Sequence, residues 1–155
     1  MSEPGVHGRA IRVTSLVVLL SPDRTMHAVA HFDANRENSL GFHRLIGGGV
    51  EVGETAQAAA VRETREELGA ELLDVQLLGV LENLFEYDGQ PGHEVVFVHT
   101  GRLDPPGTVP PEGGLFADNG DPMLVEWRPL DDKGMSIPLY PKGAGDLVRS
   151  LTGLT

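Results

Sequence analysis

The chain has 155 residues, of which 40% are apolar and 23% charged, a length and balance that suit one globular domain (1–155) with a buried core. With 23 acidic against 12 basic residues its formal net charge is −11. That opposes binding to nucleic acid or an anionic membrane, where Lys and Arg must replace counterions along the phosphates. There is no cysteine, so disulfides, thiolate catalysis and zinc–sulfur centres are excluded.

The chain opens on residues 1–10, which lack a basic stretch followed by an apolar one and so do not read as a signal peptide. Residues 11–21 (IRVTSLVVLLS) are β-branched and apolar and predict a buried strand. Their aliphatic run, Leu16–Leu20, is far short of a membrane span, and a cytoplasmic protein is expected. A turn at Ser21–Arg24 leads to a second strand, residues 26–33, paired back as a hairpin. A polar loop, 34–40, precedes a short strand at 42–46, and Gly47, Gly48 and Gly49 read as a loop before a helix.

That helix is well marked. Thr55 is placed to cap its N-terminus, with Glu54 beside it at the positive end of the dipole. Ala56 to Leu68 contains no Gly or Pro, and Gly69 stands where a left-handed cap is expected. Val61, Thr64 and Leu68 share a face expected to pack on a sheet. Residues 72–87 read as a strand bent near Gly79 or as two strands. A turn at 88–92 and a returning strand at 94–103 follow. Residues 104–122, rich in Pro and Gly, predict a long loop, mobile or acting as a lid. A strand at 123–130 and a weaker helix at 141–151 close the chain. Strands around two helices imply an α/β fold, a mixed sheet with helices on both faces.

Glu63, Glu66 and Glu67 stand at i, i+3 and i+4, hence on one helix face, which the helical period sets roughly opposite the Val61/Thr64/Leu68 stripe. Like charges four apart cost roughly 0.2–0.5 kcal/mol in an isolated helix. Arg62 offsets part of this, and the remaining excess is what a hard divalent cation neutralises. A glutamate-rich helix alone is more simply a solvated face; the residues upstream change the balance.

Gly48-(five residues)-Glu54-(seven residues)-Arg62-Glu63-Thr64-Arg65-Glu66-Glu67-Leu68-Gly69-Ala70 resembles the Nudix box, the motif of the Nudix hydrolase family, with every invariant Gly, Glu and Arg position occupied. The departures are Thr64 and Ala70 in place of bulky aliphatics, and Ile46 where many members carry proline; none removes a metal ligand. The resemblance implies the Nudix fold, an α/β/α sandwich with a mixed sheet. It also implies hydrolysis of a phosphoanhydride bond in a nucleoside diphosphate derivative, with Mg²⁺ or Mn²⁺ held by Glu63, Glu66, Glu67 and a backbone carbonyl near Gly47 or Gly48. Arg62 would aim the carboxylates, and Glu54 is left between capping the helix and reaching a metal through water. The water-activating base is often a glutamate outside the box: Glu94 is the first choice here and Glu82 the second.

Arg44 is a candidate phosphate contact or a surface residue. His43, His93 and His99 read as structural or substrate-edge residues, because the clustered spacing of a histidine metal site is absent. Phe85, Tyr87 and Tyr140 are available to stack on a nucleobase. Tyr87 falls where relatives acting on diadenosine polyphosphates tend to carry tyrosine, while Phe85 and Glu86 replace the proline typical of ADP-ribose hydrolases. The scarcity of basic residues disfavours capped RNA. The expected partner is a small nucleotide, and a homodimer is a further expectation because dimers are common among such proteins. Two rival readings remain: a catalytically silent nucleotide-sensing domain on the same fold, which typically loses a box residue, and an isoprenoid diphosphate isomerase, which resembles members with a catalytic cysteine.

Overall fold

The computed structural model describes residues 10–152; the stretch read for a leader, residues 1–9, lies outside them. In chain order the described elements are β1 (Ile11–Leu19), β2 (Met26–Phe32), β3 (Phe42–Gly49), α1 (Ala56–Leu68), β4 (Glu71–Tyr87), β5 (Gln90–Asp104), β6 (Gly114–Asp118), β7 (Asp121–Pro129), β8 (Leu139–Tyr140) and α2 (Ala144–Arg149). The strands form one sheet in the order β4-β5-β1-β3-β2-β7-β6, with β8 attached to β3. The β1–β5 and β3–β8 pairs are parallel and the others antiparallel, so the sheet is mixed.

Each face of the sheet carries a helix. Val17, Leu19, Ala28 and Ile46 pack with Ala60 and Leu68 of α1 on one side. Leu16, Val18, Leu45, Val96 and Val98 pack with Ala144 and Val148 of α2 on the other. The aliphatic run of β1 therefore alternates between two cores, which is why it shows no polar alternation. Among the described residues no helix is long and apolar enough to cross a membrane.

The helix expected after the glycines is α1, with the predicted ends. Thr55 Oγ1 accepts the Ala58 N–H at 3.0 Å, and Gly69 (φ 67°) closes the C-terminus with its N–H on the Arg65 carbonyl. The expected bend in 72–87 is a single strand whose register slips on either side of Gln76, between Leu73 and Gly79.

Three expectations need correction. Gly47–Gly49 are not a loop but the end of β3, paired with β1 through Leu16↔Gly47, Ser15↔Gly48 and Thr14↔Gly49. A Cβ at Gly48 would lie 2.6 Å from Glu63 Oε1, so that glycine permits close approach of a side chain rather than a turn. Residues 104–122 are not one loop either, because Gly114–Asp118 form β6 in a hairpin with β7. Its two-residue connection, Asn119 (φ 51°) and Gly120 (φ 85°), has the positive angles that favour Asn-Gly in tight hairpins, a signal masked by the surrounding prolines. The last helix is shorter than 141–151, since Leu139 and Tyr140 pair with β3 and α2 begins at Ala144.

Candidate active site

The glutamates of α1 occupy three environments. Each residue turns the helix by about 100°, which sets Glu67 next to Ala60 at the edge of the buried side, Glu63 on the flank and Glu66 farther round. Glu67 is 4% exposed, the Glu63 side chain 13% and that of Glu66 53%. The expectation of a carboxylate face opposite the apolar stripe is thus wrong for Glu67. Its cause is that α1 packs against β1, β3, β4 and β6 together, so the covered arc is wider than one stripe. Val61, expected on that stripe, is only half-buried.

Arg62 ties the motif together. Its guanidinium donates to both Glu54 oxygens at 2.7 and 3.0 Å, to Glu63 at 3.1 Å, to Glu66 at 3.2 Å and to the Gly49 carbonyl at 2.9 Å. Glu54 also accepts the Glu51 N–H, and its bond with Arg62 holds its carboxyl below the usual range. The structure therefore spends Glu54 on Arg62, while Thr55 caps the helix.

Below this lies the buried acid that gives the site its character. Neither Glu67 oxygen has a hydrogen-bond partner, and burial pushes its carboxyl up to about 8, with Glu63 and Asp118 adding repulsion and Arg44 opposing it. Burial also raises the Glu63 carboxyl, although Arg62 lies beside it. Arg44, expected at a phosphate or at the surface, is buried with its head group on the Leu45 and Gly47 carbonyls. Sequence reasoning missed two members. Asp118 ends β6, inside the stretch read as loop. Arg12 lies opposite Glu94 on β1 with Nη1 3.8 Å from its carboxylate, a pairing set by strand register alone.

A narrow cleft leads away from Gly48 and Arg44, lined at this end by Thr14, Asn83 and Glu94 and farther on by Phe42, Phe85, Tyr87 and Tyr140. Glu94 is 7% exposed and accepts a hydrogen bond from Asn83 Nδ2 at 3.3 Å. Glu82, the second choice for a base, is not brought to the cleft; its side chain is 72% exposed and lies 3.5 Å from His93. Phe42 meets both Tyr87 and Tyr140 edge-on. Over the far end, Glu37 accepts the N–H groups of Asp88 and Gly89 at 2.7 and 3.0 Å, and Asp88 accepts that of Arg36 at 3.1 Å. These bonds clasp the 34–40 loop to the β4–β5 turn.

The expected lack of histidine clustering is also corrected. Strand pairing sets His31 opposite His43, and Glu126 of β7 accepts from both, at 3.1 and 2.9 Å. The three ligand atoms lie within 4.8 Å of one another. Arg128 Nη1 lies 3.0 Å from His43 Nδ1, and a guanidinium only donates, so the proton of neutral His43 is on Nε2, facing Glu126. With both ring nitrogens committed, the group ties three strands together. Of the other histidines, His99 is buried near Ser15 and Leu16, and His93 is half-buried.

The NUDIX domain model matches residues 10–149. The chain belongs to the Nudix family. Solved structures agree on the fold of this Nudix chain. A MutT NUDIX hydrolase from Burkholderia pseudomallei is 19% identical with a TM-score of 0.58, covering 93% of this chain and 99% of that one. A MutT protein from Methanosarcina mazei Go1 is 16% identical at a TM-score of 0.54, over 97% and 95% of the two chains. An ADP-ribose pyrophosphatase from Streptococcus suis is 17% identical at 0.53, over 92% and 90%. A comparison with curated proteins gives no match. The Nudix box thus lies on a Nudix-hydrolase fold, in a family that generally works with divalent cations.

Proposed function

We propose that the chain hydrolyses a phosphoanhydride bond in a nucleoside diphosphate derivative with the help of Mg²⁺ or Mn²⁺. The observation that carries this reading is Glu67, a buried carboxyl group with two unpartnered oxygens, near Glu63, Asp118 and Arg44; Arg44 and Gly48, the glycine against Glu63, line the aromatic cleft. A buried charge without partners is costly unless something neutralises it. An all-oxygen donor set suits a hard divalent cation. Glu63, Glu66, Glu67 and the backbone at Gly48 would hold it, with Asp118 as a further carboxylate. When bound, such an ion neutralises charge on the diphosphate oxygens and acidifies a water.

The remaining work falls to the chain. Arg62 fixes the carboxylates through its four partners, so little motion is needed during reaction. Arg44 offers its guanidinium to a phosphate oxygen. Glu94, oriented by Asn83 and Arg12, takes the proton of the attacking water, while Phe85, Tyr87 and Tyr140 hold the base. Catalysis of this kind is mostly positioning and charge stabilisation.

The test is phosphate release, coupled to a phosphatase, from nucleoside triphosphates, ADP-ribose, sugar nucleotides and dinucleoside polyphosphates with Mg²⁺ or Mn²⁺. Metal-dependent turnover that Glu67→Gln and Glu94→Gln each abolish is the expected result. A folded, metal-binding protein that turns over nothing would shift the reading to a nucleotide sensor on the same fold.

A further inference from the structure

Three buried polar atoms lining the cleft make no hydrogen bond: Asn35 Nδ2, Thr14 Oγ1 and Asn83 Oδ1. The identities of the two amide atoms are fixed by their neighbours, while the Thr14 hydroxyl can donate or accept. Asn35 Oδ1 accepts the backbone N–H groups of Glu37 and Asn38 at 3.1 and 2.8 Å and Asn38 Nδ2 at 3.2 Å. Turning the amide over would set its NH₂ against two backbone donors, so the orientation is determined. Asn38 is fixed in turn, because its Nδ2 donates to that Asn35 oxygen, which leaves its Oδ1 to accept the Tyr140 hydroxyl at 3.2 Å. The chain Tyr140, Asn38, Asn35 therefore ends on an NH₂ group at the aromatic end of the cleft. At the other end Asn83 gives Nδ2 to Glu94, leaving Oδ1 as an acceptor.

The spacing of these groups follows from β4. Asn83, Phe85 and Tyr87 line the cleft along one strand. They therefore span about 13 Å, with Asn83 nearest Glu94 and Tyr87 nearest the clasped loop that carries Asn35. We propose that this cleft takes a nucleoside whose base presents a ring carbonyl or an unprotonated ring nitrogen to Asn35 Nδ2 and whose sugar hydroxyl donates to Asn83 Oδ1. Asn35 is then the specificity-determining residue: its acceptor is spent inside the loop, so it offers the base one polarity only. A buried donor left unmade is costly, which makes the subsite reject rings lacking an acceptor there. The inference rests on the reading that a nucleotide occupies the cleft.

The test is calorimetric binding of AMP, GMP, CMP, UMP and ribose 5-phosphate at fixed Mg²⁺, to the wild type and to Asn35→Asp. Aspartate still accepts the Glu37 and Asn38 N–H groups, so the loop keeps its turn, but an oxygen replaces the NH₂. The wild type is expected to bind at least one nucleoside monophosphate more tightly than ribose 5-phosphate. Asn35→Asp should weaken that nucleotide by roughly tenfold or more and leave ribose 5-phosphate where it was. Unchanged nucleotide affinity in Asn35→Asp overturns the proposal, as does a wild type that binds ribose 5-phosphate as well as any nucleotide. Hydrolysis is not part of the readout. A protein that binds bases through Asn35 but cleaves nothing sinks the hydrolase reading alone. One that cleaves a diphosphate and ignores the base sinks this inference alone.

Discussion

Gly48 and Glu63 touch where β3 passes under α1, and the contact leaves no room for a side chain. A Cβ at Gly48 would lie 2.6 to 2.9 Å from all three atoms of the Glu63 carboxyl group. Gly48→Ala should therefore fold, because the glutamate can swing aside, but the displaced carboxylate should cost roughly 10²-fold in kcat/KM. Steady-state kinetics beside a thermal melt decides it; full activity would show that Glu63 need not sit against the strand. At this scale the motif residues were legible because their spacing is local. Arg12 and Asp118 were not, because strand register and a hairpin bring them in and neither leaves a mark on nearby sequence.

Between residues and the whole lies α1 as a unit, stitched at one point. Arg62 spans the end of β3, the 50–55 connection and two glutamates of the helix, a pattern that needs a planar group with several fixed donors. Arg62→Lys keeps the charge and loses the fork. Metal affinity measured calorimetrically with Mg²⁺ should fall roughly 10- to 100-fold, with the helix retained. Wild-type affinity in that variant would reduce Arg62 to a surface charge. The helix was legible from its caps, Thr55 and Gly69, and from the absence of breakers. β6 was hidden because Asn119-Gly120 sits among prolines that dominate a composition-based reading. The period alone also misjudged Glu67, since it gives an angle and not the width of the surface that covers the helix.

For the molecule as a whole, the net charge of −11 and the buried ionisable groups make metal, pH and stability one problem. His27 is fully buried and its imidazole is held down to about 4 from 6.5, so stability is lost as pH falls below 6.5. Glu67 acts in the opposite sense. Its folded value of about 8 against 4.5 means that the folded state keeps a proton the unfolded chain has released, so stability is lost as pH rises towards 8. Above 6.5 only the second effect operates. Metal-free protein should therefore lose on the order of 1–2 kcal/mol between pH 6.5 and 8, read as a Tm lower by a few degrees. Glu67→Gln should flatten that slope, and saturating Mg²⁺ should flatten it in the wild type because a bound cation favours the ionised form. A slope that survives the substitution assigns it elsewhere. Sheet order, unlike secondary structure, was not legible, because pairing partners such as Arg12 and Glu94 lie far apart in sequence and the family resemblance implied only a mixed sheet.

The clasp holds one wall of the cleft through backbone groups rather than side chains. Glu37 joins two segments some fifty residues apart through backbone N–H groups, which no substitution of Asp88 or Gly89 by another non-proline residue removes. The loop so held carries Asn35 and Asn38, both of which line the cleft. The side chains of the β4–β5 turn can therefore change while that wall of the cleft keeps its anchor.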